Sequence, residues 1–438
     1  MKWLVGTLLV LLVGSILRLS YLVYAMYVLL GILLLSRFLT RRWTESLKVV
    51  RGPLAEQLDR GETATMVVTL SNLCGFNIPW LIFEESLPQK AMKQTPPRLT
   101  VKGKRLGILK LPTEHSHQIE YQITFHERGY YQFGPLRVET GDLFGLHRSY
   151  KTITEPRFVL VLPKVVPLLR YEIASKRPIG EIRMSHRLFE DPTRIAAVRP
   201  YQPGDPLNQI HWKASARTGQ LHSRVYENSS IAGATLVLDF HHDAYQGNGA
   251  GVTAELAVTT TASFANAIFE QGHQIGLITN GQDAAARIKL EGWQGEFTTR
   301  HDARQKAQHE QKSDQIRPMT VPTRKGSEQM TQILETLGRL EPGQGLSFDQ
   351  LLREAAHLLP RDATVIPILR AISPDTVLAL SLLRRRGYAI TVVLIQFDEG
   401  LRPGWAQAPA WAEPLIAEGL EFITVPNESV LSEMSPPR

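Results

Sequence analysis

The run Asp239-Phe240-His241-His242-Asp243 gathers four potential ligand side chains within five residues, directly after the apolar stretch Ala234–Leu238. Carboxylate oxygens and imidazole nitrogens suit zinc or another transition metal, and alternate residues at a strand end share a face. Four such groups in so short a run rarely converge on one tetrahedral ion without a ligand from elsewhere. The second candidate is the polar, turn-rich passage from Arg199 to Tyr226. Pro203-Gly204-Asp205-Pro206 is strong turn chemistry, because proline presets φ and glycine accepts positive φ. Ile210 and Trp212 stand at strand spacing, which points them to one face.

Three readings of that passage compete. Arg199, Arg217 and Arg224 with Tyr201 and Trp212 could stack on bases and bind phosphates. Arg217 could engage a protein partner. Or the passage is an internal staple, with Asp205 paired to an arginine and Trp212 filling a seam between domains. Trp and Arg are common at buried seams and at interface hot spots, so residue type does not decide. The staple is the preferred expectation. His211, beside Trp212, has no serine or cysteine nucleophile at a recognised spacing. The chain also has no Walker-type phosphate loop, HExxH helix or GxSxG elbow. No residue can be nominated for catalysis, and a non-enzymatic protein without a cofactor is expected.

These residues sit behind a hydrophobic start. Trp3–Leu35 is almost wholly apolar, broken by Arg18. As one helix it would be roughly 50 Å long, against a hydrocarbon core of about 30 Å. Two short helices turning near Arg18-Leu19-Ser20 fit better, giving a membrane hairpin over residues 1–40, with Tyr21, Tyr24 and Tyr27 as interfacial anchors. Lys2 precedes the hairpin and Arg37, Arg41, Arg42, Lys48 and Arg51 follow it, against Arg18 alone between the halves. The positive-inside rule then puts both termini in the cytoplasm. The rival is a signal peptide, with Lys2 as its charged region and residues 3–17 as its apolar region. A second apolar run follows at once and the nearby small-residue site is poor, which disfavours it.

At 438 residues the chain has room for two or three domains, taking roughly 150 residues for each. Hydrophobic residues at 43% and charged residues at 21% describe a folded protein. Cys74 is the only cysteine, so neither an intramolecular disulfide nor a thiolate cluster can form. A net charge of +7 raises nucleic acid or anionic lipid as partners. The basic residues form no tail, however. Arg37, Arg41 and Arg42 flank the apolar segment, and Arg384-Arg385-Arg386 reads as a helix end before Gly387. Nucleic acid is not the expected partner.

Residues 44–160 read as a β-sandwich of immunoglobulin-like type. Thr65–Leu70 is strand-like, Ile119–Phe125 alternates apolar and polar, and Arg60-Gly61-Glu62 and Arg128-Gly129 supply turns. Residues 165–231 read as a connecting segment with few periodic features. From 232 to 430 strands alternate with helices. Strands are expected at 234–239, 273–279, 363–369, 389–396 and 421–425, and helices at 253–271, 326–340, 347–358, 374–386 and 409–419. A polar stretch spans 282–324. The alternation implies a mostly parallel sheet covered on both faces.

The order of Arg199, Tyr201, Gly204, Asp205, Ile210, Trp212, Ala216, Arg217 and Leu221 resembles the signature of the family called domain of unknown function fifty-eight (DUF58). Arg128–Leu136 and Asp142-Leu143-Phe144-Gly145-Leu146 resemble the same family, so the likeness extends upstream. The α/β series resembles a von Willebrand factor A-like (Rossmann-like) domain, which in this family follows the signature. That resemblance implies a metal-ion-dependent adhesion site at the carboxyl end of the first strand, with an Asp-x-Ser-x-Ser run supplying oxygens to Mg²⁺. Asp239 is in place, but His241 and Asp243 replace the two serines. Ile368-Leu369-Arg370-Ala371 puts a cation where a second acid is expected. A degenerate site without metal is expected, its Asp239 satisfied by nearby amides or by Arg370.

The family resemblance implies a two-helix anchor in the bacterial inner (cell) membrane and a cytoplasmic soluble part. It also implies a MoxR-type AAA+ ATPase and a transglutaminase-like membrane protein as partners. The expected chain is thus an α+β multidomain adaptor or assembly factor in envelope maturation: a hairpin, a β-sandwich, then an α/β domain. The alternatives are a hydrolase or nuclease with an unrecognised site, and an extracytoplasmic binding module if the hairpin were a cleaved signal.

Overall fold

The computed structural model describes residues 2–143, 145, 147–168, 190–202, 210–228, 233–247, 249–291, 317–360, 363–395 and 413–433. The chain is mixed α+β and divides into two units. The first comprises Met1–Lys164, Ala284–Gln294 and Glu335–Leu340; the second comprises Val165–Asp283, Gly295–Leu334 and Glu341–Arg438.

The first unit begins with α1 (Lys2–Ile16) and α2 (Ser20–Glu45), which pack on one another. They are joined through Leu17–Leu19, where Arg18 takes a φ of +56°. By length and composition α2 can cross a membrane, at a mean hydropathy of 2.1; the apolar part of α1 is shorter. The expected hairpin ended at residue 40, whereas α2 runs on to Glu45. Packing explains the extension. Leu33 and Trp43 are buried, and Trp43 and Leu39 join the core of the following strands.

Eleven strands follow: β1 (Leu47–Arg51), β2 (Gln57–Leu58), β3 (Thr63–Asn72), β4 (Ile78–Glu85), β5 (Leu99–Gly103), β6 (Leu106–Leu111), β7 (Ser116–Phe125), β8 (Gly129–Phe133), β9 (Leu136–Gly141), β10 (Arg148–Thr152) and β11 (Arg157–Val161). A short helix, α3 (Gln89–Lys93), precedes β5. The sheets run β1-β3-β7-β5, β10-β9-β4-β6 and β2-β11-β8. The alternation read in the sequence is the cause. Ile119, Tyr121, Ile123 and Phe125 of β7 are buried while Glu120 and Gln122 face out. Opposite them, Met66 pairs with Tyr121 and Val68 with Ile119. One core draws on all three sheets. Arg128, which opens the 128–136 motif, is buried and donates from Nη1 to the carbonyls of Leu337 (2.6 Å) and Leu340 (2.7 Å).

An ion pair is sealed inside this unit. Arg51 of β1 donates to the Glu85 carboxylate of β4, with side chains only 4% and 2% exposed. Arg51 Nη1 also reaches the carbonyls of Glu155 (3.1 Å) and Phe133 (3.4 Å). The guanidinium packs where a Cβ at residue 134 would stand, and Gly134 has a φ of +85°, so glycine is required twice over. Burial pushes the Glu85 carboxyl up from its ordinary range, and Arg51 pulls it back. The buried Tyr121 phenol is pushed up as well, by burial first and by Glu85 second.

In the second unit, the expected connecting segment 165–231, read as having few periodic features, holds regular structure among its described residues. β12 (Glu190–Pro200) and β13 (His222–Asn228) form an antiparallel ribbon, with α4 (Trp212–Thr218) between them. Pro192 and an irregular register hide β12 from a period-two reading. A six-stranded sheet follows, ordered β17-β15-β14-β19-β20-β21. Its strands are β14 (Gly233–Leu238), β15 (Gln274–Thr279), β17 (Met319–Arg324), β19 (Ala363–Leu369), β20 (Thr391–Ile395) and β21 (Glu421–Val425). All neighbours are parallel except β15 and β17. The polar stretch 282–324 is thus not empty. It holds β16 (Gln282–Asp283), α6 (Ala284–Glu291, in the first unit) and the edge strand β17. Pro322 within β17 fits an edge, since proline cannot donate to a ladder. The two-residue β18 (Leu340–Glu341) lies further along the chain.

The helices are α5 (Ala250–Glu270), α7 (Ser327–Arg339), α8 (Phe348–Ala355), α9 (Pro374–Arg385), α10 (Glu413–Ala417) and α11 (Glu428–Glu433). Residues 409–412, the expected start of α10, lie outside the described residues. Leu351, Leu380, Leu383 and Leu415 cluster with Val237, Val365, Val392 and Leu394 on one face of the sheet. α5 contacts β14, β15, β19 and β20 without joining that cluster, so it covers the other face.

Breaking the buried pair isolates a charge. Arg51→Met should cost about 3–5 kcal/mol in denaturant unfolding, whereas Arg51→Met/Glu85→Leu should recover most of it. Glu85 has its proton affinity raised by folding, so its stabilising contribution is present in acid and lost as pH rises through the raised pKa. The single variant should therefore lose least in acid and most at neutral pH.

Candidate functional site

Asp239 sits at the carboxyl end of β14, 6% exposed. Its Oδ1 accepts from Asn280 Nδ2 at 2.9 Å and from the His241 backbone N–H at 3.3 Å. Asn280 is fixed in turn: its Oδ1 accepts from Phe240 N–H at 2.6 Å, and its Nδ2 also donates to the Leu346 carbonyl at 3.0 Å. Tyr245 Oη donates to the Asp239 carbonyl at 2.9 Å. Burial pushes the Asp239 carboxyl up, while the Asn280 amide and the His241 N–H pull it back.

The neighbouring candidates do not converge on Asp239. His241 and Asp243 face each other instead, with Nδ1 3.6 Å from Oδ2, and the Asp243 side chain is 74% exposed. Among the described residues, no group of three or more His, Cys, Asp or Glu is placed to hold a metal. Arg370 does not satisfy Asp239 either. Its Nη1 donates to the carbonyls of Ala244 (2.9 Å) and Gln246 (3.5 Å), and its guanidinium lies 5.9 Å from the Tyr245 ring centre. The amides meet the carboxylate and the arginine holds the loop. At this corner a buried carboxylate is hydrogen-bonded to a buried carboxamide.

The signature passage folds as a capped helix on a ribbon. Trp212 is not in a strand with Ile210: Ile210 is buried and bridges Ser223, whereas Trp212 opens α4. Two residues at spacing two cannot define a period, and the His211 side chain decides the outcome by accepting the Ala214 N–H at 3.0 Å as an N-cap. Ser215 is buried beneath the helix. Its Oγ donates to the His211 carbonyl at 3.1 Å and accepts the His222 N–H at 2.9 Å. Gly219, at φ +71°, ends the helix in the left-handed region.

Trp212 is 65% exposed, so its own unit does not bury it. Lys213, Ala216 and Arg217 are exposed beside it. Arg199 is half-buried in β12 opposite Ser223, and Tyr201 donates its N–H to the Leu221 carbonyl at 2.8 Å. Gly204 and Asp205 lie outside the described residues, as do Phe144 and Leu146 of the upstream motif.

One cluster escaped the sequence reading. Ser36 of α2, 4% exposed, donates to Asp142 Oδ2 and lies 3.0 Å from His147 Nδ1. Asp142 Oδ2 also accepts the His147 N–H at 3.0 Å, and Trp80 Nε1 donates to the Asp142 carbonyl at 3.2 Å. These are the residue types of a hydrolytic triad, but serine bonds aspartate directly and both face the same imidazole nitrogen. A general base standing between nucleophile and acid is absent. A serine in an otherwise apolar helix run was the signal available.

Residues 197–314 match the model of the family described as protein of unknown function DUF58. The match takes in α4, β13, β14, α5 and β15, so it covers both the capped helix and the Asp239 corner. The chain is also 27% identical over 230 residues to an uncharacterised protein, YeaD, of Bacillus subtilis (strain 168), covering 52% of this chain and 54% of that protein. It thus spans about half the length of that relative. Among solved structures, a Salmonella alpha-2-macroglobulin matches 26% of this chain and 7% of its own at 12% identity, with a TM-score of 0.19. The CARDB domain of a Pyrococcus furiosus protein matches 26% and 87% at 13% identity, with a TM-score of 0.18. Scores this low carry no argument.

Asp239→Ala should cost about 1–3 kcal/mol, because the Asn280 amide loses an acceptor. Asp239→Asn keeps an acceptor and removes the buried charge. Folding raises the Asp239 pKa, so the native residue's contribution is present in acid and falls as pH rises through that pKa. The stability of Asp239→Asn relative to the native chain should therefore rise from acid to neutral pH. Mg²⁺ or Mn²⁺ should leave both thermal midpoints unchanged.

Proposed function

We propose that this chain is a membrane-anchored, non-enzymatic adaptor for a MoxR-type AAA+ ATPase in assembly or maturation of the bacterial cell envelope. In this reading α1 and α2 are a two-span hairpin and the soluble units face the cytoplasm. The second unit is a von Willebrand factor A-like domain whose metal corner has been replaced by the Asp239–Asn280 pair. A transglutaminase-like membrane protein is a further partner.

The observation that carries the reading is the outward face of α4. An indole 65% exposed is costly to leave in water and is the commonest kind of interface anchor. Lys213 and Arg217, one helical turn apart, are exposed to one side of it, which suits a partner surface with an apolar pocket and an acidic edge. His211, Ser215 and Gly219 fix the helix on its ribbon, so the face is presented in one orientation. Preorganisation of that kind lowers the cost of binding.

Affinity purification of the detergent-solubilised chain from a bacterium encoding such an ATPase tests this. The ATPase should co-purify with the native chain, and Trp212→Ala should lower its recovery at least about tenfold, as loss of a hot spot does. Arg217→Ala should lower it less. Both variants should unfold within about 0.5 kcal/mol of the native chain, as exposed substitutions do. A loss of about 3–5 kcal/mol for Trp212→Ala would instead mark a buried staple, and a stable variant that retains the ATPase would remove the docking role.

A further inference from the structure

Where α2 leaves its apolar stretch, a cavity of about 410 Å³ opens between the helix and β10. Four cations line it, Arg37 and Arg41 from α2 with Arg148 and Lys151 from β10, and all four are exposed. The only carboxylate in the lining is Glu45, which Arg41 holds at 2.8 Å. Arg148 pairs with Glu139 at 3.5 Å, an acid outside the lining. The excess of positive charge is therefore not neutralised within the cavity. Thr40, also in the lining, is 4% exposed and its hydroxyl has no hydrogen-bond partner among the described residues.

Depth decides what this charge is for. Tyr21, Val28, Leu34, Leu35 and Phe38 of α2 are exposed apolar side chains. At 1.5 Å per residue, the stretch from Tyr21 to Phe38 is roughly 27 Å long, close to the hydrocarbon thickness of about 30 Å. Arg37 and Thr40 then lie where apolar contact gives way to the polar headgroup layer. Arg42 lies over the Phe38 ring at 5.7 Å, a contact suited to the same boundary. Two cations reach the cavity from the helix and two from the strand beside it, so the site converges in space and is not a run of flanking charge along one helix.

Building on the membrane-anchored reading above, we infer that this cavity binds the phosphate headgroup of an anionic phospholipid. The guanidinium groups match phosphate oxygens by paired N–H donation, the lysine adds a point charge, and the Thr40 hydroxyl is available as a further donor. The acyl chains would run along the exposed apolar side of α2. The site would bias the protein towards anionic lipid and hold the first unit close to the bilayer surface.

The test uses the full chain reconstituted in phosphatidylcholine vesicles containing phosphatidylglycerol, with spin-labelled phosphatidylglycerol and phosphatidylcholine as probes of lipid contact. Phosphatidylglycerol should be preferred, and Arg37→Gln/Lys151→Gln should cut that preference about tenfold, given the contribution of each basic residue near an anionic surface. Lys102→Gln/Lys104→Gln removes equal charge away from the cavity and should leave the preference unchanged. Inorganic phosphate at matched ionic strength should not displace the lipid. An unchanged preference in the cavity variant, or an equal drop in the control, would overturn the site. Displacement by inorganic phosphate would overturn the lipid as its ligand. Alkaline carbonate extraction separates the two readings: a chain that stays in the membrane but shows no selectivity refutes the site alone, and a chain that is released refutes both.

Discussion

The continuity of α2 from its apolar stretch into the β-core governs the first unit. A helix that ended with its apolar run would meet the strands through a linker and leave their orientation free. Here Leu39 and Trp43 sit in or against the same core as Met66, Tyr121 and Phe133, and Thr44 donates back to Thr40 at 2.9 Å. Ser36, Asp142 and His147 close the turn between β9 and β10 onto the helix. A buried hydroxyl on a buried carboxylate is strong only while both stay dry. The helix and the strands must therefore form and dissociate as one body, and the cationic cavity beside them exists because β10 is held against the helix.

The second unit follows another logic. Its central strands β14 and β19 are buried on both faces, which is why Ala234–Leu238 and Ala363–Leu369 read as short continuous runs. Burial at the sheet's carboxyl edge falls on Asp239. The neutral Asn280 amide donates to its carboxylate, and burial leaves a carboxyl whose affinity for a proton is raised. Across the two units, the buried acids Asp142, Glu85 and Asp239 each have a specific donor.

Much of this was legible in the residues. The alternation in Ile119–Phe125 marked β7, and the break at Gly387 marked a helix end. Local chemistry written in a few side chains was harder. α4 depends on the His211 imidazole as a cap and on Ser215 as a buried link, and neither shows a period. β17 is short, polar and interrupted by Pro322, as an edge strand can be. The Ser36 cluster was invisible because its partners lie more than one hundred residues away, and only the fold brings them together. That Trp212 stands exposed on α4 is a tertiary fact that residue type alone does not carry.

Hydrogen–deuterium exchange of the full chain in lipid nanodiscs tests the joining of α2 to the β-core most directly, resolved over residues 36–72. If the helix and strands open only together, the amides of Leu39–Glu45 should exchange as slowly as those of Val68 and Leu70 in β3, with the same dependence on denaturant. Exchange of Leu39–Glu45 orders of magnitude faster than β3 would contradict this, showing that the end of α2 frays independently of the core it meets.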